Sequence, residues 1–420
     1  MADTMNHATV TERGSWIERL CRNAVLARLE LVEQGELVVR DPWEERRFGR
    51  RTDLCDFTAT ITVHDGDLYS AMALGGAVGA GEAYMRGGWN ADNLTRVVRI
   101  FATNPAVMAN SRRGVARLRD LTLKLFHRLH ENSKRGSRRN IAAHYDLGNK
   151  LFELFLDPEM MYSSAVFERP EMGLDEAAVA KLDRVCRKLA LTADDHLLEI
   201  GTGWGAMAIH AARHYGCRVT TTTISREQHD YARRRVAQAG LDHLITVLDQ
   251  DYRDLTGSYD KLVSIEMIEA VGHRHHAEYF RRCTDLLKPD GIMLLQTITI
   301  AEQDHDQARD NVDFIKRYIF PGGSLPSISG IAATVKQHSD MQLFHVEDFG
   351  PHYARTLALW RQRFMDQLPQ VRSLGYSDSF IRMWDFYLSY CEGGFEERCL
   401  GVAQILLTKP QARPAPLLAI

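Results

Sequence analysis

The segment EIGTGWG (199–205) has the residue types and spacing of a ligand-binding turn. It follows a short apolar run, HLLEIG (196–201), and precedes AMAIHAARHY (206–215), which has a helical pattern. Its three glycines allow a tight turn and let the backbone approach a ligand at the amino end of the following helix. A nicotinamide dinucleotide site would need an acidic residue about 20 residues later, but the next strand ends in TTTTIS (220–225). The loop therefore predicts a ligand other than a nicotinamide dinucleotide, with a plain strand-to-helix turn as the alternative.

Further candidate residues follow other predicted strands. Glu269 lies just beyond the strand segment KLVSIE (261–266), and ligands of open α/β sheets gather at the carboxyl ends of strands. A carboxylate in this position could instead interact with the amino end of a helix. Taken by themselves, Tyr162 and Tyr252 would most simply be core residues, because buried aromatic rings of this kind usually only pack.

Strand and helix patterns alternate from residue 175 onwards, which is typical of a parallel sheet with helices on both faces. Five strand–helix units are predicted, and two later strands are expected to pair antiparallel. The predicted fold class is α/β, with a Rossmann-like sheet of seven strands. The strand segments are HLLEIG (196–201), CRVTTTTI (217–224), LITVLDQ (244–250), KLVSIE (261–266), GIMLLQTITI (291–300), LFHVEDF (343–349) and CLGVAQILLTK (399–409).

The N-terminal part has a different pattern and is predicted to be a smaller α+β domain, residues 1–110, that associates with lipid or a membrane. A helical segment (16–32) and a strand segment, DFTATITVH (56–64), precede GGAVGAGEAYMRGGW (75–89). The glycines of this last segment allow tight turns or close approach of the backbone to other groups.

A basic linker, residues 111–140, separates this domain from a catalytic domain at 141–410, which a tail at 411–420 follows. The linker holds ten Lys or Arg against two acidic residues, so its excess is eight positive charges (10 − 2). Such a run is either a solvated linker or a surface for anionic lipid headgroups.

Several motifs together resemble the S-adenosylmethionine-dependent methyltransferase core of the cyclopropane-fatty-acyl-phospholipid synthase family, which includes the mycolic acid cyclopropane synthases. The likeness covers essentially residues 55–408. The motifs, in chain order, are GEAYMRGGW (81–89), HYDLGNKLFELFLDPEMMYSSAVFE (144–168), EIGTGWG, TTTISREQ (221–228), DYRD (251–254), SIEMIEAVG (264–272), LLKPDG (286–291) and RYIFPGGSLPS (317–327).

The resemblance implies a class I methyltransferase fold and S-adenosylmethionine as the cofactor. It also assigns roles to matching residues, whose side chains are chemically suited to stacking or hydrogen bonding. Tyr145, Tyr162 and Ser163 would lie against the cofactor, Gly201 and Gly203 would cradle its methionine part, Thr223 and Gln228 would hold methionine or ribose atoms, and Tyr252 would flank the adenine. Apart from the resemblance, Asp249 and Asp251 lie around the end of the third predicted strand, where an acidic residue commonly contacts the adenine amine. Of the two, Asp251 is the predicted contact.

The resemblance further implies a bicarbonate ion as the catalytic base, held by Glu269 and Tyr353. Two positions depart from the family pattern. Ser164 stands where the family has cysteine, and Gln296 stands where it has histidine. Both can donate hydrogen bonds to an oxyanion, but neither exchanges protons near neutral pH as an imidazole does.

The implied reaction is one-carbon transfer to the cis double bond of an unsaturated phospholipid acyl chain. Loss of a proton from the new methyl group closes a cyclopropane ring, which is the preferred expectation. Loss from a neighbouring carbon, or later reduction, gives a methylene or methyl branch. The site must be dry and lined by electron-rich groups, because positive charge develops on a chain carbon. Tyr318, Phe320, Trp360 and Phe364 are candidates for an acyl tunnel.

Two other classes of function remain as alternatives. One is a catalytically silent lipid-binding protein, since fold does not fix function. The other is a nucleic-acid or small-molecule methyltransferase. A pI near 6.6, the lack of an RNA- or DNA-binding module and SIEMIEAVG in place of an amine-methylating motif argue against it, so no nucleic-acid partner is predicted.

Composition restricts where the protein works. The seven cysteines contain no C-x-x-C pair, which indicates neither a disulfide framework nor a zinc site, and no metal is predicted. The polar N-terminus and the lack of a long apolar run predict a cytoplasmic protein. The phospholipid substrate that the resemblance implies adds peripheral association with the inner face of the membrane. A homodimer would place two basic surfaces on one membrane.

Overall fold

The computed structural model describes residues 16–108, 136 and 147–417. The chain divides into two compact units, Met1–Arg117 and Leu118–Ile420, and the division falls within the predicted basic linker. Apart from Gly136, residues 109–146 lie outside the described residues, and so does the predicted cofactor residue Tyr145.

The described part of the first unit contains a four-stranded sheet in the order β2-β1-β3-β4, with β1 and β3 parallel and the other pairs antiparallel. This confirms a small α+β domain. Its strands are β1 (Gly35–Arg40), β2 (Glu45–Arg50), β3 (Thr58–Val63) and β4 (Trp89–Ala91), and its helices are α1 (Trp16–Leu29), α2 (Asp67–Met85), α3 (Leu94–Thr103) and α4 (Pro105–Met108).

The glycine-rich segment of this unit is helical rather than a series of turns. Most of it lies in α2, which is kinked at Gly76, where the backbone takes φ 53°. At Gly79 a Cβ atom would lie only 1.9 Å from the carbonyl oxygen of Ala71, so the close approach expected of these glycines occurs here.

The second unit is built on a seven-stranded sheet formed by the described residues, in the order β10-β11-β9-β8-β5-β6-β7. Strands β5 to β9 run parallel, while β11 pairs antiparallel with both β9 and β10. The antiparallel pairing of β10 with β11 was predicted, and the position of β11 beside β9 was not. The strands are β5 (His196–Ile200), β6 (Arg218–Thr223), β7 (Ile245–Asp249), β8 (Tyr259–Ile265), β9 (Leu287–Ile300), β10 (Gln342–Asp348) and β11 (Leu400–Thr408).

Helices cover both faces of this sheet, which confirms the predicted α/β class. They are α5 (Asn149–Glu153), α6 (Leu174–Leu189), α7 (Ala206–Tyr215), α8 (Arg226–Gln238), α9 (His276–Leu286), α10 (His305–Asp310), α11 (Ile328–His338), α12 (Gly350–Asp366), α13 (Leu368–Ser373) and α14 (Asp378–Glu396). Short helical turns cover Tyr252–Asp254, Ile268–Ala270, His273–His275 and Ile315–Ile319.

The core consists of two apolar clusters, one on each face of the sheet. The first includes Leu198, Leu262 and Leu295 from the strands and packs on α9 and α11. The second includes Leu197 and Val263 and packs on α6 and α7. Neighbouring strand residues thus point to opposite faces, and both faces are apolar, as in other buried parallel sheets. This rigid platform presents the carboxyl ends of β5, β6 and β8 at one edge.

Candidate functional site

A carboxylate at the end of β8 is the centre of a hydrogen-bonded cluster at this edge. The Glu266 Oε1 atom accepts hydrogen bonds from the Ser164 backbone N–H (2.9 Å) and from Gln296 Nε2 (2.8 Å). Its Oε2 atom accepts one from the Tyr353 hydroxyl (2.7 Å). Ser164, Gln296 and Tyr353 are buried, while Glu266 remains partly exposed.

The strand register explains why these groups converge. Ile265 pairs with Gln296 across β8 and β9, and Gln296 pairs with Gln404 across β9 and β11. Gln404 Nε2 donates to Gln296 Oε1 (3.0 Å), which leaves the Gln296 amide N–H groups directed at Glu266. The central strands therefore fix the orientation of one donor before any ligand binds.

Glu269, the predicted catalytic carboxylate, occupies a separate position next to this cluster. Its Oε1 atom accepts hydrogen bonds from the Ile298 backbone N–H (2.6 Å) and the Thr297 hydroxyl (2.8 Å). Its Oε2 atom is buried and has no hydrogen-bond partner among the described residues. Burial, reinforced by the neighbouring charge of Glu266, raises the pKa of Glu269 to about 8. Glu269 therefore keeps its proton near neutral pH.

Opposing effects act on the pKa of the Glu266 carboxyl group. Burial raises the pKa of Glu266, while the donors Gln296, Ser164 and Tyr353 and the charge of Lys181 act against that rise. The Tyr353 hydroxyl remains a donor, because burial and the adjacent carboxylate raise its pKa well above 10. Of the two glutamates, Glu266 has the stronger support for a negative charge.

Lys181 on α6 is a completely buried cation behind the cluster, and the sequence analysis did not identify it. Its Nζ atom donates to the Ser163 hydroxyl (2.9 Å). Burial lowers the pKa of Lys181 to about 8, although the carboxyl groups of Glu266, Asp157 and Glu199 favour its charged form. Lys181 thus supplies the positive charge that offsets part of this acidic surrounding.

The glycine turn between β5 and α7 forms an open cradle. Gly201 takes φ 104° and Gly203 φ 52°, values that favour glycine. No atom lies within 4 Å of the position that a Cβ would take at Gly203, whereas at Gly201 the nearest is the Met267 side chain at 3.2 Å. The backbone at Gly203 therefore faces space that a ligand can fill. The same turn contacts Met267, the residue after Glu266, through Gly201.

Thr223 and Gln228, predicted to bind the cofactor, lie together on the next strand–helix connection. The Thr223 hydroxyl donates to Gln228 Oε1 (3.1 Å), and both residues are buried. Ser225 begins α8 by accepting a hydrogen bond from the Gln228 backbone N–H (3.4 Å). This helix cap holds both side chains at the carboxyl end of β6.

Asp251 and Tyr252 follow β7 and are also buried. Both Asp251 carboxylate oxygens accept hydrogen bonds from the Arg253 guanidinium, at 2.9 Å and 2.7 Å. The carboxylate thus already serves to hold the turn, and its proposed contact with an adenine amine stays a prediction. The Tyr252 ring packs edge-on against Tyr279, with ring centroids 5.4 Å apart.

Aromatic rings surround Tyr162 between the cluster and the C-terminal helices. The Tyr162 hydroxyl shares a hydrogen bond with that of Tyr387 (2.9 Å), and its ring lies 5.3 Å from Trp360 and 6.4 Å from Phe320. Trp360 and Phe364 are fully buried core residues, whereas Tyr318 and Phe320 are partly exposed. That any of the four lines an acyl tunnel stays a prediction.

Three of the predicted donors lie together in the structure, but around a different carboxyl group from the one expected. Tyr353, Ser164 and Gln296 were expected to surround an ion held by Glu269, yet the described structure places all three on Glu266. Ser164 acts through its backbone N–H, because its hydroxyl donates to the Ala165 carbonyl (3.1 Å). Glu266 could have been found, since it is the first residue beyond β8 and therefore lies at the ligand-binding edge.

Comparison with known proteins gives one matching family model, described as mycolic acid cyclopropane synthetase, over residues 132–405. Two curated relatives are similar over most of the chain. A tuberculostearic acid methyltransferase of Mycobacterium tuberculosis is 40% identical over 341 residues, which are 80% of this chain and 79% of the relative. The cyclopropane-fatty-acyl-phospholipid synthase of Escherichia coli is 37% identical over 358 residues, which are 84% of this chain and 88% of the relative.

Solved structures agree with these matches. A cyclopropane synthase of Mycobacterium tuberculosis aligns with a TM-score of 0.61 and 33% identity, covering 65% of this chain and 98% of that one. A mycolic acid cyclopropane synthase complexed with S-adenosylhomocysteine and CTAB gives the same values. Among the described residues, no cluster of three or more His, Cys, Asp or Glu could hold a metal ion. All seven cysteines are free.

Proposed function

This chain belongs to the mycolic acid cyclopropane synthetase family, and we propose that it transfers a one-carbon unit to the cis double bond of an unsaturated phospholipid acyl chain. The family makes it an S-adenosylmethionine-dependent enzyme that modifies lipids. The observation that carries the proposal is the combination, at one sheet edge, of an open glycine cradle, a donor-bound carboxylate and a ring of aromatic side chains.

The residues of the cradle fit S-adenosylmethionine. Open backbone at Gly203 suits the methionine part, and the buried Thr223–Gln228 pair presents polar atoms to methionine or ribose. Tyr252 begins the short helical turn after β7, and its ring would flank the adenine. When bound, the cofactor supplies an electrophilic methyl group on sulfur.

The protein must stabilise the positive charge that forms on the acyl chain. The faces of Tyr162 and Phe320 offer electron-rich surface, and the Glu266 carboxylate adds negative charge in surroundings that largely exclude water. Such charge is effective in a dry site, because little solvent screens it.

A cyclopropane ring is the product that we propose first, in keeping with the Escherichia coli relative. A methylene or methyl branch is the second candidate. Two observations favour the branch. One relative is a tuberculostearic acid methyltransferase, and Ser164 and Gln296, which depart from the family pattern, both contact Glu266.

The substrate is proposed to reach the enzyme from a bilayer surface on the cytoplasmic side. None of the helices that the structure describes is long and apolar enough to cross a membrane. The basic residues at 111–140 would attract anionic headgroups at about 1 kcal/mol each.

The proposal is tested with purified protein, labelled S-adenosylmethionine and liposomes of unsaturated phosphatidylethanolamine and phosphatidylglycerol. Mass spectrometry of the released fatty acids should show a gain of 14 mass units for a ring or a methylene branch, the mass of one CH₂ group. Chemical derivatisation then separates the ring from the branch. Saturated-chain liposomes are the control, and label in no fatty acid would contradict the proposal and favour a catalytically silent lipid-binding protein.

A further inference from the structure

We propose that Glu266 is the resident oxyanion of this site and accepts the proton that leaves the transferred carbon, in place of a bound bicarbonate ion. The inference rests on the proposed one-carbon transfer. It departs from the bicarbonate that the sequence resemblance implied, because the structure assigns the anion's donors to a side chain of the protein itself.

The first argument is that the donors are already taken. Three separate elements direct N–H or O–H groups to one point: the Ser164 backbone, the Gln296 amide and the Tyr353 hydroxyl. A carboxylate and a bicarbonate ion have the same planar arrangement of two oxygens, so they compete for the same donors. The Glu266 side chain already accepts the hydrogen bonds of these three donors, so a bicarbonate ion does not fit among them.

The second argument is the state of the neighbouring carboxyl group. Glu269 keeps its proton near neutral pH, so it does not compete with Glu266 as a base. Two adjacent carboxyl groups with unequal proton affinities commonly divide between a neutral acid and a charged base. Lys181 adds positive charge on the Glu266 side of the cluster.

The third argument is the backbone conformation. Glu266 takes φ 48°, in the left-handed region that favours glycine. Its backbone N–H donates to the Gln296 carbonyl (2.7 Å), which fixes this conformation. A glutamate at such a position carries a conformational cost that glycine avoids, and strained residues of this kind cluster at functional sites.

The geometry identifies the accepting atom. Oε1 receives two hydrogen bonds and Oε2 receives only the one from Tyr353, so Oε2 has the remaining lone pair. In ring closure, a C–H bond of the transferred carbon breaks and its electron pair forms the bond to the cationic chain carbon. The proton moves to Oε2, which leaves Glu266 neutral, and it later returns to solvent.

Two substitutions separate a built-in base from a bound ion. Glu266→Gln keeps the shape but cannot accept the proton, and Glu266→Gly removes the side chain and leaves the donors open. Asp340→Asn is the matched control, since Asp340 is another hydrogen-bonded carboxylate, paired with Lys409 near the opposite ends of the strands. All variants are assayed in CO₂-free buffer, with and without added bicarbonate or formate, and their S-adenosylmethionine binding is measured by calorimetry.

Wild-type activity should not depend on bicarbonate, and Asp340→Asn should behave in the same way. Glu266→Gln should lose about 10²-fold or more in turnover, as expected for removal of a general base, and should still bind cofactor. Turnover by Glu266→Gly should be equally slow without added anion and should rise at least about tenfold with bicarbonate or formate. Among the proteins tested, bicarbonate should raise the melting temperature of Glu266→Gly alone.

Three outcomes would overturn the inference: a wild-type enzyme that requires bicarbonate, a Glu266→Gln variant with normal turnover, or a folded Glu266→Gly variant that neither anion activates or stabilises. The melting-temperature measurement does not depend on the substrate. If the wild-type protein modified no acyl chain, the proposed function would fail, while selective stabilisation of Glu266→Gly by bicarbonate would still support the anion position of Glu266.

Discussion

At the scale of single residues, the raised pKa of Glu269 makes a prediction about stability. Its pKa is about 8 in the folded protein and about 4.3 in an unfolded chain. Between these values the unfolded chain has released the proton and the folded protein has not, so stability falls as the pH rises. The maximum slope is about 1.4 kcal/mol per pH unit for one group.

From pH 5.5 to pH 7.5, the wild-type protein should therefore lose stability relative to Glu269→Gln. The expected loss is about 2 kcal/mol, which is less than the maximum slope would give, because Glu269 is partly exposed. Denaturant titrations would measure this difference in the free energy of unfolding. The relevant unfolding transition is the one that shifts when S-adenosylhomocysteine is added.

Glu347→Gln is the control for this experiment. Burial opposes ionisation of Glu347, but its hydrogen bonds with Arg184 and Lys188 lower its pKa to about 2. Ionised Glu347 contributes its full stabilisation at any pH above the pKa of glutamate in an unfolded chain. This stabilisation is lost only as the pH falls towards 2. The gap between wild type and Glu347→Gln should thus stay constant from pH 5.5 to pH 7.5. A constant gap for Glu269→Gln as well would show that Glu269 is ionised in the folded protein.

The same residues show how far sequence reasoning reaches. Tyr353, Ser164 and Gln296 were predicted to share one ion site, and the structure brings all three to one carboxyl group, the Glu266 side chain. Which of two glutamates three positions apart receives these donors depends on strand register and on a left-handed backbone angle. Lys181 was missed because a lysine in an amphipathic helix ordinarily faces solvent, and only packing reveals that it is buried.

At the scale of secondary-structure elements, the turn between β5 and α7 predicts a separable effect on cofactor binding. A methyl group at Gly203 meets no protein atom within 4 Å, so Gly203→Ala costs only the strain of φ 52°, about 1 kcal/mol. The added methyl group would project into the space proposed for the cofactor. Titration calorimetry should show S-adenosylmethionine affinity reduced by about tenfold or more, since 1.4 kcal/mol corresponds to tenfold.

Gly240 offers a matched control, because it also has a positive φ of 67° and no atom within 4 Å of the position that a Cβ would take there. It lies beyond the end of α8, at Gln238, and the sequence analysis did not place it near the cofactor. Gly240→Ala should cause a similar loss of stability with unchanged affinity. Equal affinity losses in both variants would mean that the Gly203 turn does not contact the cofactor.

Elements of the second unit could be predicted because their patterns are unambiguous. Strand-like segments of six to eleven residues, most of them separated by helical segments, predicted every strand of the seven-stranded sheet, and the antiparallel pairing of β10 and β11 was also correct. The first unit was harder. Strand β2, with the sequence ERRFGR, has one buried residue in six, so hydrophobic periodicity could not identify it.

At the scale of the whole molecule, the first unit carries the proposed contact with lipid. Helix α1 leaves three large apolar side chains at its start unusually exposed: Trp16 at 70%, Leu20 at 62% and Ile17 at 49%. Exposed apolar side chains grouped in this way mark surfaces that meet proteins or membranes. The basic stretch at 111–140 would add a salt-sensitive attraction to the same anionic bilayer.

The two contributions are separable by vesicle co-sedimentation with phosphatidylglycerol liposomes. Raising the salt concentration should weaken binding by wild type, because it screens the basic residues. The double variant Trp16→Ser/Leu20→Ser should bind at least about tenfold less tightly at every salt concentration, since burial of each such side chain contributes about 1.5–3 kcal/mol. Leu343→Ser, which changes another exposed leucine (45%) on β10, should bind like wild type. Unaltered binding by the double variant would mean that α1 does not enter the interface, and salt-independent binding would remove the basic stretch from it.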